Sequence, residues 1–432
     1  MVFKLYDIRG VYPNEIDEKF AYSLGRTLGK IYKKILFGID SRISSEKFKD
    51  PFLTGVLNSD ADIVYAGIIS TPLMYFLTKN RYDLGVSATA SHNPKEFGGF
   101  KMCDKDGMPL SPINEVKPFF KEYEIPLKLE KAKNYYQNLG KEYRDFYLKI
   151  FKDVNSNIGI VVDFSNGATI HEKKVIEDIF LDKNFLSEKP DGNFPDHLPN
   201  TMTEDNLRNL MSKVKEKKAN IGIIFDGDGD RLGIVDEKGN PIKGDILTAM
   251  IANQILNEKK GTIIYDLRCS KVVPETVIEQ GGKPIKSRVG HYFIKKLMRE
   301  KDAIFAGELS NHFYFKEAGG FEAPLLALFY IFKELEDKKL SEISKRYQKY
   351  YQSGEMNFEV DNKEKIMNSI LLNYKDAKVE TIDGISIYYE DWWANIRPSN
   401  TEALLRINIE SSKKNILEEK IKEINSIVEN NI

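Results

Sequence analysis

The sequence predicts an α/β protein: three tandem α/β domains with mixed, mostly parallel sheets, plus a C-terminal smaller α+β domain. Three observations support this fold class. The chain has 432 residues, more than one hydrophobic core usually serves. Short apolar runs alternate with amphipathic helical patterns in most of the chain. The last part differs, because there a single helix is followed by several strands.

The first unit shows the alternation most clearly. A helix is predicted over residues 16–31 because apolar residues recur there at helical spacing, namely Ile16, Phe20, Leu24, Leu28 and Ile31. Further elements follow in turn: strand 35–39, a helix from residue 44, strand 62–66, helix 72–77 and strand 84–88. This βαβ order indicates a mostly parallel sheet.

The alternation restarts twice after a charged connector helix predicted over residues 130–153. The second unit has strand 159–163, helices 170–179 and 204–217, and strand 221–225. The third has strand 262–265, helices 272–279 and 290–299, and strand 303–305. The last part has helix 363–372, strands near 385–390, 394–397 and 404–409, and a terminal helix. We predict domains at residues 1–135, 150–245, 246–350 and 355–432.

Composition narrows the class of partner. Net charge is −1, from 64 basic and 65 acidic side chains, so neither a nucleic acid nor a membrane surface is expected to bind. The N-terminus lacks the apolar core of a signal peptide, and a cytoplasmic location is expected. Cys103 and Cys269 form no metal or redox pattern, and we expect both to be buried thiols.

A serine lies on a loop at the end of the first unit's last strand. Residues 89–94 read Thr-Ala-Ser-His-Asn-Pro, and the proline and nearby glycines keep them out of regular structure. Ligand sites of parallel α/β sheets lie beyond the carboxyl ends of strands. Ser91, with His92 beside it and Lys101 further on, could therefore carry a phosphoryl group. Taken alone, an ordinary turn explains this loop better.

Three aspartates alternate with glycines in residues 225–231, Phe-Asp-Gly-Asp-Gly-Asp-Arg, directly after a predicted strand. Carboxylates this close raise each other's pKa unless a cation neutralises them. Ligands that are all oxygen suit Mg²⁺ or Ca²⁺ rather than zinc. An EF-hand is rejected because Arg231 stands where that loop needs glycine and the flanks are strand-like. We predict a metal site at Asp226, Asp228 and Asp230, in preference to an acidic turn without metal.

Two later loops carry weaker signals. Residues 307–312, Gly-Glu-Leu-Ser-Asn-His, follow the third unit's last strand and could hydrogen-bond sugar hydroxyls. Residues 397–402, Arg-Pro-Ser-Asn-Thr-Glu, join two late strands, and their donors could hold a phosphate. A polar turn explains each loop nearly as well. Neither a Walker loop nor a dinucleotide fingerprint is present.

In this order and spacing the four loops resemble those of the α-D-phosphohexomutase family, and in particular its phosphomannomutase/phosphoglucomutase branch. Supporting matches lie at residues 6–10, 38–42, 191–195 and 290–291. The resemblance covers the whole chain. It implies four domains around a central cleft, each contributing one loop. It also implies a mutase of the isomerase class that interconverts hexose 1-phosphate and 6-phosphate, with mannose and/or glucose as the hexose.

The resemblance further implies a role for each site residue. Ser91, as a phosphoserine, would hold Mg²⁺ together with Asp226, Asp228 and Asp230. The implied catalytic residues are Ser91, His92, Lys101, Arg9, Arg231 and His312. The implied substrate-binding residues are Tyr6, Arg268, His291, Glu308, Ser310, Arg397, Ser399, Asn400 and Thr401. Hexose 1,6-bisphosphate is the implied intermediate and activator, a small-molecule sugar phosphate the substrate, and a monomer or homodimer the assembly.

Three places depart from the usual pattern of the branch. After Phe315 the family often shows paired aspartates before a glycine, whereas this chain has Glu317, Ala318, Gly319 and Gly320. Asn311 replaces a glycine of the sugar loop, and Arg268 stands where lysine is common, which leaves the preferred hexose open. Phosphoglucosamine mutase is the nearest alternative, but it usually has Gln where this chain has Leu309. A metal-dependent sugar phosphatase working through Ser91 is the alternative of another class. The Arg397 loop argues against it, since a hydrolase has no need to recapture a flipped intermediate.

Overall fold

The computed structural model describes residues 2–335, 338–399 and 404–431. The strands of these residues form four five-stranded sheets in succession along the chain. In each of the first three sheets four strands run in one direction and one strand runs opposite to them, whereas the fourth sheet is antiparallel throughout its described strands. The predicted fold class of three α/β domains and a smaller C-terminal α+β domain is confirmed.

The first domain begins with an antiparallel edge strand and then alternates helices and strands. Its elements are β1 (Ile8–Val11), α1 (Glu18–Ile31), β2 (Lys34–Ile39), α2 (Ile43–Leu57), β3 (Asp62–Ile68), α3 (Thr71–Thr78), β4 (Leu84–Ala88) and β5 (Phe97–Asp104). The strand order is β1-β5-β4-β2-β3. Helix α1 begins where the Asp17 side chain accepts a 2.8 Å hydrogen bond from the Phe20 amide, and its apolar face is buried.

The second domain repeats the parallel core. Its elements are α4 (Gly140–Ile150), β6 (Ile160–Asp163), α5 (Ile170–Ile179), β7 (Lys183–Leu186), α6 (Glu204–Lys217), β8 (Ile221–Phe225), β9 (Leu232–Asp236) and β10 (Pro241–Ile242). The strand order is β10-β9-β8-β6-β7. Every residue of β6 and β8 is buried, as expected for central strands covered on both faces.

The third domain places its antiparallel strands last. Its elements are α7 (Gly244–Glu258), β11 (Thr262–Asp266), α8 (Val272–Glu279), β12 (Lys283–Ser287), α9 (His291–Glu300), β13 (Phe305–Gly307), β14 (Phe313–Phe315), β15 (Phe321–Glu322), α10 (Pro324–Leu335) and α11 (Leu340–Lys345). The strand order is β12-β11-β13-β14-β15. Helix α10 joins this domain to the second, because the ring centroid of Phe332 lies 4.7 Å from that of Phe180.

The C-terminal domain packs two helices on an antiparallel sheet. Its elements are β16 (Tyr351–Glu359), α12 (Lys363–Asn373), β17 (Lys378–Glu380), β18 (Ile385–Tyr388), β19 (Trp392–Pro398), β20 (Leu404–Ser411) and α13 (Lys414–Glu429). The strand order is β16-β20-β19-β18-β17. None of the helices in the described residues combines the length and apolarity that a bilayer crossing requires.

Some element predictions were wrong. Of the connector helix predicted over 130–153, only α4 is α-helical. The segment before α4 hydrogen-bonds to the first domain instead, since the Gln137 amide donates to the Tyr65 carbonyl at 2.9 Å. The predicted strand 303–305 starts two residues later, as β13. Strands β7 and β12 were not predicted, because these edge strands mix charged and apolar residues without clear alternation.

The four predicted loops leave equivalent positions of the four sheets. Strands β4, β8 and β13 are each the middle strand, with a parallel neighbour on one side and an antiparallel neighbour on the other. The chain leaves each middle strand through a polar loop and returns as the antiparallel neighbour. Strands β19 and β20 flank the fourth loop in the same way. This repeated geometry places one loop of each domain where functional side chains meet.

Candidate active site

A buried arginine organises the serine loop. The Arg42 guanidinium is fully buried and donates to three carbonyl oxygens of this loop, at 2.6 Å to Ser91, 2.5 Å to Asn93 and 2.7 Å to Pro94. Its Nε lies 3.2 Å from Asp40 Oδ2. Charged hydrogen bonds of this kind are among the stronger ones in proteins, so the loop is held by a rigid fork.

Ser91 has a left-handed backbone and a hydroxyl that faces the aspartate loop. Its φ is +51°, a backbone conformation that residues other than glycine and asparagine seldom adopt. The Ser91 Oγ lies 3.1 Å from Asp226 Oδ2 and 3.3 Å from His92 Nδ1. Burial, followed by Arg231 and Arg9, lowers the pKa of His92 well below its ordinary value, so the imidazole beside the serine is neutral.

Asp226, Asp228 and Asp230 converge as predicted, and their buried ligand atoms all lie within 4.8 Å of one another. Lys101 reaches this triad from β5 of the first domain, with Nζ 2.7 Å from Asp228 Oδ2 and 2.5 Å from Asp230 Oδ2. Thr71 also donates to Asp228 at 2.5 Å. One ammonium group therefore faces three buried carboxyl groups.

The pKa values of Asp226 and Asp230 are shifted in opposite directions. Burial, Asp230 and Asp228 raise the pKa of Asp226 well above its usual range. Burial acts in the same direction on Asp230, but Lys101 and His312 outweigh it and hold the pKa of Asp230 well below its usual value. Burial lowers the pKa of Lys101, yet Asp228 and Asp230 outweigh it, so the pKa is raised and the ammonium stays charged.

Two glycines allow the serine and aspartate loops to touch. A Cβ on Gly227 would lie 2.6 Å from the Ser91 carbonyl oxygen, which is too close for any side chain. Gly229 has a φ of +70°, which favours glycine. The two glycines of the motif thus serve the contact between domains as well as the convergence of the carboxylates.

The loop at residues 307–312 of the third domain, here called the sugar loop, adjoins the loop that carries the three aspartates. His312 Nε2 lies 3.2 Å from Asp230 Oδ1, and His312 Nδ1 lies 3.1 Å from Ser310 Oγ. The Ser310 hydroxyl donates to Glu308 Oε2 at 3.3 Å. Asn311, at the position where the family usually has glycine, has a φ of +67°, a conformation that asparagine tolerates better than most residues. Asparagine at this position is therefore compatible with the left-handed backbone of the loop.

Arg268 joins the third domain to the fourth. Its guanidinium donates twice to Asp266, at 3.1 Å and 2.8 Å, and lies 3.6 Å from Glu308 Oε2. Its remaining nitrogen, Nη1, lies 3.8 Å from Glu355 Oε2 on β16. A lysine could not make these contacts together, because it has no planar fork.

Of the loop at residues 397–402 in the fourth domain, the structure describes residues 397–399. Arg397 is the second-last residue of β19 and is 4% exposed, with Nη2 2.9 Å from Glu355 Oε2. Ser399 is also buried, and its amide donates to the Leu404 carbonyl at 2.8 Å. The predicted residues Asn400 and Thr401 lie outside the described residues.

The other predicted residues stand around the same centre. Arg9 Nη1 donates to Asn93 Oδ1 in the serine loop at 2.7 Å. Arg231 Nε lies 3.8 Å from Asp226 Oδ2 and 3.4 Å from His312 Nε2. Tyr6 packs its ring 5.3 Å from that of His291, and burial raises the pKa of Tyr6 to about 12.

A cavity of about 730 Å³ connects these groups. Many of the predicted site residues line it: Tyr6, His92, Arg231, Arg268, His291, Glu308, Ser310, His312, Arg397 and Ser399. Ser91, Lys101 and the aspartates lie buried beside it. A cavity of this volume accommodates a small phosphorylated metabolite.

Sequence reasoning missed two residues that shape this site. Arg42 was noticed only within a matching segment, although its place directly after a predicted strand was a usable signal. Glu355 lies on a strand, far in sequence from the arginines that it contacts, and no local pattern identifies it.

Family models match nearly the whole chain. The models described as phosphoglucomutase/phosphomannomutase, alpha/beta/alpha domains I, II and III, match residues 1–124, 133–239 and 243–350. The model of the C-terminal domain of the same family matches residues 355–427.

Individual proteins agree with the family match. A phosphomannomutase of Methanocaldococcus jannaschii is 55% identical over 440 residues, covering 99% of this chain and 97% of the relative. A phosphomannomutase/phosphoglucomutase of Pseudomonas syringae pv. tomato is 31% identical, with 96% and 92% covered. The solved structure of a phosphoglucomutase/phosphomannomutase family protein from Burkholderia thailandensis has a TM-score of 0.86 at 27% identity, with 99% and 96% covered.

These matches bear on what the sequence predicted. The resemblance to this family is confirmed, and so is the prediction of a phosphohexose mutase of the isomerase class. The chain belongs to the phosphoglucomutase/phosphomannomutase family.

Proposed function

We propose that this mutase moves a phosphoryl group between the 1- and 6-positions of mannose and/or glucose phosphates, with Ser91 as the carrier and a hexose 1,6-bisphosphate as the intermediate. The observation that carries this proposal is the position of the Ser91 hydroxyl. It lies 3.1 Å from Asp226 in the acidic triad, beside a neutral histidine at the end of the cavity. Few other functions call for a serine at that place.

The residues present fit a divalent cation. The triad offers only oxygen ligands, and Asp228 Oδ1 is buried without a hydrogen-bond partner. Asp226, Asp228, Asp230 and the oxygen on Ser91 would hold Mg²⁺, one of the hard cations that oxygen ligands suit. Bound there, Mg²⁺ would neutralise charge on the phosphoryl group during transfer.

The chain's own residues position and protonate the reacting groups. In the forward step the bond from phosphorus to Ser91 Oγ breaks as the bond to the substrate hydroxyl oxygen forms. That hydroxyl passes its proton to the neutral imidazole of His92, which lies 3.3 Å from Ser91 Oγ. Ser91 gains a proton as its bond to phosphorus breaks, and Lys101, at the triad beside Asp228 and Asp230, is the acid assigned to supply it. Neutral His92 and nearby Arg231 and Arg9 complete the surroundings of the phosphoryl group.

The far side of the cavity would hold the sugar and its second phosphate. Glu308 and Ser310 can bond the sugar hydroxyls, with His312 close to the transfer. Arg397 and Ser399, with Asn400 and Thr401 assigned by the family resemblance, would bind the phosphate that does not react. The bisphosphate must turn in the cavity so that its other phosphate returns to Ser91, which requires closure against water.

Phosphorus NMR of the purified protein tests this proposal. Mg²⁺, a trace of hexose 1,6-bisphosphate, and mannose, glucose or glucosamine 1-phosphate are supplied in separate tubes. Appearance of the 6-phosphate in the mannose or glucose tube is expected. Fastest conversion of the glucosamine tube would favour the phosphoglucosamine mutase alternative, and release of inorganic phosphate would favour a sugar phosphatase.

A further inference from the structure

Glu355 lies among three arginines at the domain boundary of the cavity. Its Oε2 is 2.9 Å from Arg397 Nη2 and 3.8 Å from Arg268 Nη1, while its Oε1 is 3.4 Å from Arg406 Nη1. All four side chains line the cavity, so the carboxylate faces the space that a substrate would occupy. Arg268 belongs to the third domain, and the other three residues belong to the fourth.

Glu355 is the close carboxylate partner of Arg397, whereas Arg268 is also paired with Asp266. Burial, followed by the nearby Arg268, lowers the pKa of Arg397, which shows that the two guanidinium groups repel each other. Burial raises the pKa of Glu355, but Arg268 and Arg397 outweigh it and hold that pKa below its usual value. Glu355 is therefore ionised and compensates the arginines when no other anion is present.

We infer that Glu355 is a built-in substitute for the substrate's phosphate, bound to the arginines in the resting enzyme and displaced when the non-reacting phosphate arrives. The inference rests on the proposed function, which assigns Arg397 to that phosphate. Carboxylate and phosphate oxygens accept from guanidinium groups with the same fork geometry. A phosphate dianion brings more charge and more acceptor oxygens than one carboxylate, so it wins the competition once bound.

This exchange suits a reaction in which the bisphosphate intermediate must dissociate from the arginines and reorient in the cavity. Glu355 returns to Arg397 as the phosphate leaves, so Arg397 keeps an ion-pair partner between the two binding events, while Arg268 keeps its hydrogen bonds to Asp266 throughout. The ion pair from Arg268 to Glu355 also keeps the third and fourth domains in contact during that interval. Glu355 thereby weakens phosphate binding and assists release.

The test compares phosphate binding by two glutamate variants of β16. Isothermal titration calorimetry measures the affinity of inorganic phosphate for the full-length wild type, Glu355→Gln and Glu359→Gln, in EDTA so that metal plays no part. Removing the competing charge should tighten binding by Glu355→Gln about tenfold. Glu359 is exposed on the same strand, so its variant carries the same charge change and should bind like wild type.

Unchanged or weaker binding by Glu355→Gln overturns the inference and makes the glutamate only a support for Arg397. If that variant does not fold, Glu355→Asp replaces it, and its shortened reach should tighten binding by a smaller factor. Wild-type turnover of mannose or glucose 1-phosphate, measured separately, tests the proposed function. Turnover without tighter binding in the variant would therefore overturn the inference alone.

Discussion

The two sides of the cavity carry opposite charges arranged in opposite ways. On the side of the first and second domains, three buried aspartates surround one ammonium group, that of Lys101. On the side of the third and fourth domains, three arginines surround one carboxylate, that of Glu355. Each of these two groups is the central counterion of a larger network, because Arg231 also lies 3.8 Å from Asp226 on the first side, and Asp266 and Glu308 also contact Arg268 on the second.

This difference agrees with the proposed function, which calls for both a metal ion and a phosphorylated substrate. In that proposal a metal ion completes the acidic side and a phosphate completes the basic side. The acidic side is also the more rigid, because Arg42 and the contact between Gly227 and Ser91 fix its loops. The basic side depends on ion pairs that cross a domain boundary and can exchange.

Removing the carrier should have the largest effect. We expect Ser91→Ala to lower turnover at least about a thousandfold, since the variant lacks the hydroxyl that would carry the phosphoryl group, and the Thr71 hydroxyl at the triad is engaged as a donor to Asp228. Sugar phosphate affinity, measured by calorimetry, should change only a few-fold because the basic side is intact. Ser412→Ala, at an exposed serine, is the control and should keep full activity. Substantial residual turnover in Ser91→Ala would refute the carrier role.

Weakening the acidic triad should rank second. We expect Asp228→Asn to lower the rate about a hundredfold and to raise the Mg²⁺ concentration for half-maximal activity at least about tenfold, because one charged ligand is lost. Mg²⁺ titrations of the mutase reaction measure both quantities. Asp62→Asn, at an exposed aspartate, should leave both unchanged. Unaltered Mg²⁺ activation in Asp228→Asn would exclude this triad as the metal site.

Loosening the serine loop should have an intermediate effect. Arg42→Lys keeps the charge but loses the fork that bonds three carbonyls, so kcat should fall about tenfold with KM little changed. The free energy of unfolding should fall by about 3 kcal/mol in denaturant titrations. Arg81→Lys, at an exposed arginine paired with Glu142, is the matched control. A wild-type kcat in Arg42→Lys would show that the fork does not position Ser91.

The smallest effect belongs to the ion pairs of Glu355. The arginines lower its pKa in the folded protein, so its contribution to stability is complete above the ordinary glutamate pKa and is lost as pH falls through the lowered value. Glu355→Gln should therefore lose about 1 kcal/mol or less relative to wild type near neutral pH, and the difference should vanish in acid. Unfolding titrations across this range measure it. A difference that grows in acid would contradict the assignment.

Local patterns predicted the elements that depend on local spacing. Helices α5 and α6 and strand β8 have the predicted bounds because their apolar period and flanking polar residues are unambiguous. The connector helix failed because Gln137 finds a partner on Tyr65, a contact that no local propensity contains. Tertiary contacts of this kind override helical preference.

The residues of the candidate site also differ in whether a local sequence pattern predicts them. The triad was predicted from a contiguous motif after a strand, and the serine loop from such a motif together with the family resemblance. Glu355 escaped prediction because its meaning comes from Arg268 and Arg397, which lie on other elements. A contiguous motif can be recognised in a single sequence, whereas a counterion on a distant strand can be recognised only once the fold is known.

The most direct test of the central claim is the mass of the peptide that contains Ser91. Wild type and Ser91→Ala are incubated with hexose 1,6-bisphosphate and Mg²⁺, digested, and analysed by mass spectrometry with fragment sequencing. We predict one phosphoryl group on Ser91 of the wild type, which disappears when excess hexose 1-phosphate is added. A wild-type peptide that stays unmodified, or a phosphoryl group that stays on Ser91 after hexose 1-phosphate is added, would contradict the account.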